Sequence, residues 1–468
     1  MAITVTNINT LSLLNILTRT SDAQSTTLTR LSTGSRINTG KDDPAGLIAM
    51  RSMESEIVAV QAAIANNQRT DAMLSVADSA LSEVASLLDD IKELAVASAN
   101  GEGLSADEIA ANQAQVDEAI AAIDQIISTT EFNGQKLLDG SLSIVTSGVD
   151  TTKISDLKVY RRDPDSDTTL TVSVSSAAEK AQYEVATTSA TDDTTISIQG
   201  AEGTAVIDIT SGENLSSVAA KINAATAQTG VTASASSGSL TLLSSDYGSS
   251  KFVRVSVVDT DTSDTSFSAG SDYGSDASVT INGQTAAVDG LEVSYSANGV
   301  SLSFNLTEDY NDGTVSGDES FTISSSAGGA TFQLGTTSAT RATIGIDGLF
   351  SQQLGSATLG YLSSLKGGGT NNLIDNPNQA ALIADAAAEQ VAKLQGRLGG
   401  FLQFQVGTAL NQMNATYESL TSALSTIKDV DYATETAELN RQNVLMQVSM
   451  SLLGLAQQQS AQVLSLLR

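Results

Sequence analysis

Apolar residues recur at alternating spacings of three and four near both ends of the chain, and in short strict alternation through its middle. The run from Tyr432 to Arg468 sets the pattern. Leu445, Val448, Leu452 and Leu455 form one stripe, and Met446, Met450 and Leu453 form a second beside it. A helix apolar on two adjacent faces needs partners on both sides. At about 1.5 Å per residue it would span roughly 50 Å. Docking onto its own domain is the simplest expectation. Residues 1–37, however, carry a similar pattern, with Ile8, Leu11, Leu14, Leu28 and Leu31 as expected buried positions. Two such helices, ordering only on each other and on neighbouring copies, suit a self-assembling fibre.

Gly34 and Gly40 predict helix stops, and Asp43-Pro44 predicts a start, an acidic N-cap followed by Pro in the first turn. Gly34 to Lys41 superficially resembles a phosphate-binding loop. It has one residue too many between the glycines, Asp42 where Ser or Thr should bind magnesium, and no buried strand before it, so a turn between helices is the reading. From Pro44 to Ser98 one very long helix is expected, with Leu74, Ala77, Leu81, Val84, Leu88, Ile91 and Ala95 as a coiled-coil-like seam. Asn100-Gly101 closes it and Ser105 caps the next helix, whose Ile109, Val116, Ile120, Ile123 and Ile127 keep the same period. Helix returns at Asn376-Pro377. Val391, Leu394, Leu398 and Phe401 lead into Met413, Tyr417, Leu420, Leu424 and Ile427, and Lys428 to Asp431 form a polar hinge.

From about Gly140 to Gly369 the chain is rich in Ser, Thr, Gly and Asp. Val253 to Val257, Leu291 to Tyr295 and Val300 to Phe304 alternate as half-buried antiparallel strands, and Leu215 to Ala227 reads as a short helical insert. The acidic loop Asp259 to Asp276 lacks the spacing of a calcium-binding hand and the closing Glu, so it reads as solvated. The fold class is therefore α+β and nested: helices from both ends pair, and a β-rich insertion is looped out between them.

Composition narrows the chemistry. The 468 residues contain no Cys, His or Trp, which removes disulfides, thiol nucleophiles, His-based triads and most zinc and copper sites. With 23 basic against 53 acidic residues the formal charge is −30, which repels nucleic acid and anionic membranes. No run approaches the ~18 apolar residues of a membrane span. No basic segment precedes Leu11 to Leu17, so a cleaved secretory signal is not expected. No cofactor, metal or catalytic residue is indicated.

Arg30 to Asn38 (RLSTGSRIN), Lys41 to Gly46 (KDDPAG), Glu131 to Gly134 (EFNG), Asp431 to Glu435 (DYATE) and Val463 to Arg468 (VLSLLR) resemble bacterial flagellin in order and position. The resemblance covers roughly residues 1–140 and 376–468. More weakly, Thr194 to Leu243 and Val279 to Leu306 resemble the β repeat with an Ile-Asn pair found in flagellin and hook-associated outer domains, the pairs being Ile222-Asn223 and Ile281-Asn282.

The resemblance implies a structural subunit of the flagellar filament. It divides the chain into an inner-tube helix (1–42), one half of a helical shell (43–140), a variable outer insertion (141–375), the other half of the shell (376–430) and a second inner-tube helix (431–468). It implies self-assembly into a helical homopolymer, secretion through the flagellar export channel to the cell exterior, hook-associated junction and cap proteins as partners, and an export chaperone on the C-terminal helix. The expected polymer interface comprises Leu11, Leu14, Leu445, Val448, Leu452 and Leu455 in the inner helices and Leu74, Leu81, Leu88 and Ile91 in the shell. Arg30, Arg36 and Asp42 are either polar anchors between subunits or a solvated face. Asp90, Ile91, Lys92, Glu93 and Leu94 fall on the patch by which immune-stimulating flagellins engage a host receptor. Asp90 stands where that pattern has Arg, and Gln115 replaces a supporting Glu. A hook–filament junction protein of the same superfamily is the alternative. A metallopeptidase insertion would need two histidines, and carboxylates lying in turns without aromatics do not suit a glycosidase.

Overall fold

Local chemistry sets the helix ends. Asp43 Oδ1 accepts the Gly46 amide at 2.9 Å ahead of Pro44 and opens the long helix. Ser105 and Glu108 form a reciprocal capping box. Asp431 accepts the amides of Ala433 and Thr434 and caps the last helix. Asn376 departs from expectation: Pro377 does open its helix, but the Asn376 side chain donates to the Thr370 carbonyl and caps nothing.

The computed structural model describes residues 8–100, 103–185, 193–236, 238–258, 267–356 and 359–466, with side-chain surroundings for 10–459. Its helices are α1 (Ile8–Thr33), α2 (Pro44–Ser98), α3 (Ala106–Thr129), α4 (Leu215–Ala224), α5 (Thr226–Thr229), α6 (Glu308–Asn311), α7 (Pro377–Gly400), α8 (Gly407–Lys428) and α9 (Tyr432–Leu466). Phe401–Val406, after Gly399-Gly400, is a wider π-helical turn.

The chain forms two compact units, Met1–Asn67 with Thr408–Arg468, and Gln68–Gly407. These cut α2 near its middle and fall 25 residues after the 42/43 boundary expected from sequence. In the first unit, the Lys428 ammonium lies 3.2 Å from Glu54, and Gln61 donates to the Tyr417 hydroxyl at 3.3 Å. Met413, Tyr417, Leu420, Leu424 and Ile427 of α8 are only half-buried.

In the second unit α2, α3 and α7 each bury an apolar face. Leu74, Leu81, Leu88 and Ile91 have no accessible surface, nor do Val116, Ile120, Ile123, Ile127, Ile383 and Val391. Cross-bonds fix α2 and α7 as an antiparallel pair: Gln395 donates to Ser82 at 3.0 Å and Lys92 pairs with Asp385 at 2.5 Å. Four of the expected interface residues are thereby corrected. Leu74, Leu81, Leu88 and Ile91 are wholly enclosed by their own chain and have no surface left for a neighbour. The coiled-coil seam is intramolecular.

The β region holds two modules with separate cores. In the first, two sheets face each other. One runs Gln284–Thr285, Ser278–Ile281, Thr168–Ser176, Glu319–Gly328, Ile144–Ser147; the other runs Ala287–Asp289, Glu292–Ala297, Val300–Leu306, Ile154–Arg161. Val172, Val279, Val293, Leu302, Phe304 and Phe321 fill the space between. In the second module a three-stranded sheet (Gln182–Val185, Ser239–Ser244, Val231–Ser236) and a four-stranded one (Gly270–Tyr273, Phe252–Val257, Thr194–Gly200, Thr204–Ile209) share a core with Leu215, Val218 and Ile222 of α4.

The two Ile-Asn pairs are not the same local structure. Asn223, on α4, donates to the Ala233 carbonyl at 2.9 Å and accepts its amide at 2.7 Å, pinning the helix to the neighbouring strand. Asn282 also makes two backbone bonds, to Thr171 and Thr169, but sits with Gly283 in a tight hairpin at positive φ (49° and 78°). Part of the acidic loop, 259–266, lies outside the described residues; Asp276 at its end is folded in. It accepts the amides of Ser249 and Gly290 at 2.8 and 2.9 Å.

Candidate polymer interface

Helices α1 and α9 pack on each other. Gln24 Nε2 donates to Asn443 Oδ1 at 2.7 Å, and Arg30 Nη1 lies 3.7 Å from Glu435 Oε1, so the two run antiparallel. The turn between α1 and α2 closes on the chain before α9. Arg36 N donates to the Lys428 carbonyl at 2.6 Å and Val430 N to the Gly34 carbonyl at 3.1 Å. Gly34 is required there: its φ is +67°, and a Cβ would lie 2.9 Å from the Tyr432 hydroxyl.

The surface shared by α1 and α9 is not the most apolar one available. On α9, Gln442 and Ser449 are buried and Met446 and Leu453 half-buried; on α1, Thr20 and Thr27 are buried and Leu13, Leu17, Gln24 and Leu31 half-buried. This seam alternates spacings of four and three, but it is threaded with hydroxyls and amides. The expected buried positions on α1 are therefore out of phase. Leu11, Leu14 and Leu28 are 56%, 49% and 49% exposed, Leu31 alone turns partly inward, and the Ile8 side chain lies outside the described residues. On α9, Leu445, Val448, Leu452 and Leu455 stand outward, joined by Val444 and Met450. Spacing alone does not separate these stripes, because both repeat every three or four residues. Completing the burial of the six outward residues Leu11, Leu14, Leu445, Val448, Leu452 and Leu455 would contribute on the order of 5–8 kcal/mol.

The expected polar anchors differ among themselves. Arg30 faces Glu435 but at a long distance, and its Nε is buried with no hydrogen-bond partner. The Arg36 side chain is exposed. Asp42 is already occupied: it accepts from the Thr39 amide at 2.8 Å, the Thr39 hydroxyl at 3.0 Å and the Asn38 amide at 3.2 Å, and these bonds, the Thr39 amide foremost, hold its carboxyl below the usual range. It is thus a brace of its own turn. Along α2, Asp90 and Glu93 are exposed, Lys92 and Leu94 are half-buried, and Gln115 on α3 is exposed. Ile91 is enclosed and cannot meet a receptor.

Among the described residues no cluster of acidic side chains could hold a metal ion, and no helix is long and apolar enough to cross a membrane. The family model for the bacterial flagellin N-terminal helical region matches residues 5–143, and that for the C-terminal helical region matches 382–467. The flagellin hook IN motif matches 195–246, the module containing Asn223, and not the Asn282 hairpin. Flagellin of Salmonella rubislaw is 30% identical over 507 residues, covering 99% of each chain. Polar flagellin F of Vibrio parahaemolyticus is 26% identical over 473 residues, covering 100% of both. A solved structure of flagellar hook associated protein-3 from Legionella pneumophila covers 81% of this chain and 98% of that one, at 12% identity and a TM-score of 0.32. With its helical ends, its β-rich insertion and a full-length relative at this identity, the chain belongs to the bacterial flagellins, the structural subunits of the flagellar filament.

Proposed function

We propose that subunits join in the filament through the outward faces of α1 and α9. One observation carries this: α9 packs its polar seam, Gln442 and Ser449, on α1, and leaves the Leu445, Val448, Leu452 and Leu455 stripe uncovered. In a lone chain that arrangement leaves apolar surface in water. Neighbouring copies cover it, and the ordering entropy of both helices is offset only when they do. Polymerisation and ordering of the ends are then one event. Arg30 and Arg36 lie beside this surface as polar contacts at its rim.

On the same reading the chain leaves the cell through the flagellar export channel and adds to an extracellular filament bounded by hook-associated junction and cap proteins. An export chaperone covers the apolar stripe of α9 before export. The role is structural, and no residue is assigned to catalysis. Seeded polymerisation of Leu445→Asp tests the reading. Elongation should be lost while the monomer keeps its circular dichroism, because a carboxylate enclosed between subunits without a partner costs several kcal/mol. Elongation at the unaltered rate would exclude α9 as the joining surface.

A further inference from the structure

Asn-Gly occurs four times in the chain. Gly101 lies outside the described residues, and the other three pairs form the same turn. φ is 57° and 82° at Asn133-Gly134, 49° and 78° at Asn282-Gly283, and 52° and 80° at Asn298-Gly299. Each is the two-residue tip of a hairpin, between the paired residues Phe132 and Gln135, Ile281 and Gln284, and Ala297 and Val300. All six tip residues are exposed, and nothing lies within 4 Å of where a Cβ would stand on Gly134, Gly283 or Gly299. The bond that closes such a turn runs to the residue after the glycine, so it does not engage the glycine amide.

The asparagine side chains differ. Asn282 Oδ1 accepts the Thr171 amide at 2.8 Å and its Nδ2 donates to the Thr169 carbonyl at 3.1 Å, which clamps the group on the strand Thr168–Ser176. Among the described residues Asn133 and Asn298 make no side-chain hydrogen bond. Local sequence does not anticipate this, since Asn133 and Asn282 are both followed by Gly-Gln.

We propose that Asn133 and Asn298 are sites of spontaneous deamidation and that Asn282 is protected. At Asn298 the Gly299 nitrogen attacks Cγ. An N–Cγ bond forms, the Cγ–Nδ2 bond breaks, and Nδ2 leaves as ammonia carrying the proton that the glycine nitrogen gives up. The five-membered succinimide then takes up one water at either carbonyl, giving aspartate or its β-linked isomer. Nothing is oxidised or reduced. Asn133 reacts in the same way with the Gly134 nitrogen. At Asn282 two hydrogen bonds must break before Cγ can swing to the Gly283 nitrogen. The aspartate product keeps the turn, because Asp-Gly suits it as Asn-Gly does, and adds one negative charge to a chain already at −30. The β-linked isomer adds a carbon to the main chain, so the two-residue connection between Ala297 and Val300 no longer fits.

The unaltered full chain tests this. The monomer is incubated in heavy-oxygen water at mildly alkaline pH, and its peptides are mapped by mass spectrometry at intervals. Asn133 and Asn298 should each exchange the amide for a carboxyl carrying one solvent oxygen, about tenfold faster or more than Asn282, whose two bonds must open first. In denaturing guanidinium chloride the clamp is gone, and Asn282 should react as fast as Asn133. Equal rates at the three sites in the folded chain, or reaction only after denaturation, would overturn the proposal. So would an Asn282 that stays slow in guanidinium chloride, since its protection would then lie in the sequence and not in the fold.

Discussion

Gln24 donates a hydrogen bond of 2.7 Å to Asn443, joining residues 419 apart in the chain and holding the amide-bearing faces of α1 and α9 together. That bond explains why the leucines beside it point outward. A seam that satisfies amides and hydroxyls between the two helices leaves the apolar stripes for other surfaces.

Leu452 and Leu81 should therefore respond oppositely to substitution. Leu452 is 48% exposed, so Leu452→Asp should leave the monomer's urea midpoint nearly unchanged and abolish elongation. Leu81 has no exposure, so Leu81→Ala should destabilise the monomer by about 2–5 kcal/mol in urea unfolding. Equal effects of the two on the monomer would refute the assignment of inner and outer surfaces.

The outer module should be removable at one point. Glu179 and Ser275 exchange backbone hydrogen bonds of 2.9 and 3.0 Å, so the chain enters and leaves the second β module side by side. Replacing Lys180 to Gly274 with an Asn-Gly turn should leave the first β module folded and give thinner filaments under the electron microscope. A deletion beginning inside Thr168–Ser176 should fail instead, because that strand lies between two neighbours in its sheet.

Acid should weaken the β region. Hydrogen bonds from Ser249, and then from the Gly290 and Ser249 amides, hold the Asp276 carboxyl below the ordinary range. A carboxyl lowered on folding contributes stability above its unfolded pKa of about 3.9 and loses it as pH falls through the folded value. The thermal midpoint should stay level from about pH 7 to about pH 5 and drop below about pH 4. Asp276→Asn should lower the plateau and make the acid slope shallower; an unchanged slope would remove Asp276 from this role.

Host recognition is a separate expectation. Asp90 on α2 and Gln115 on α3 are both exposed; by the resemblance they stand where the immune-stimulating pattern has Arg and Glu. A groove shaped for a guanidinium would meet a carboxylate, a mismatch typically worth ~2–5 kcal/mol at an interface. Reporter cells bearing the host receptor should respond weakly to the monomer and regain part of the signal with Asp90→Arg and Gln115→Glu. A strong response to the unaltered monomer would contradict this.

Sequence alone determined the long helices and their order, because a three-four apolar period over tens of residues, closed by caps such as Ser105 with Glu108, admits little else. It also located the β insertion, where alternating runs such as Val300 to Phe304 became strands. It could not say which of two stripes on α9 faces inward. Leu445 and Met446 are neighbours with the same period, and the choice fell to Gln24 and Thr20 of a helix at the other end of the chain. Nor could it separate a seam within one chain from a contact between chains. Leu81 and Leu452 carry the same signal, and only the full burial of one and the exposure of the other tell them apart. Arg397 of α7 stacks its guanidinium on the ring of Tyr160, 3.4 Å from the centroid, a contact with no trace in local pattern. Such contacts depend on where distant segments come to lie, which periodicity does not encode, and only the tertiary structure decided them.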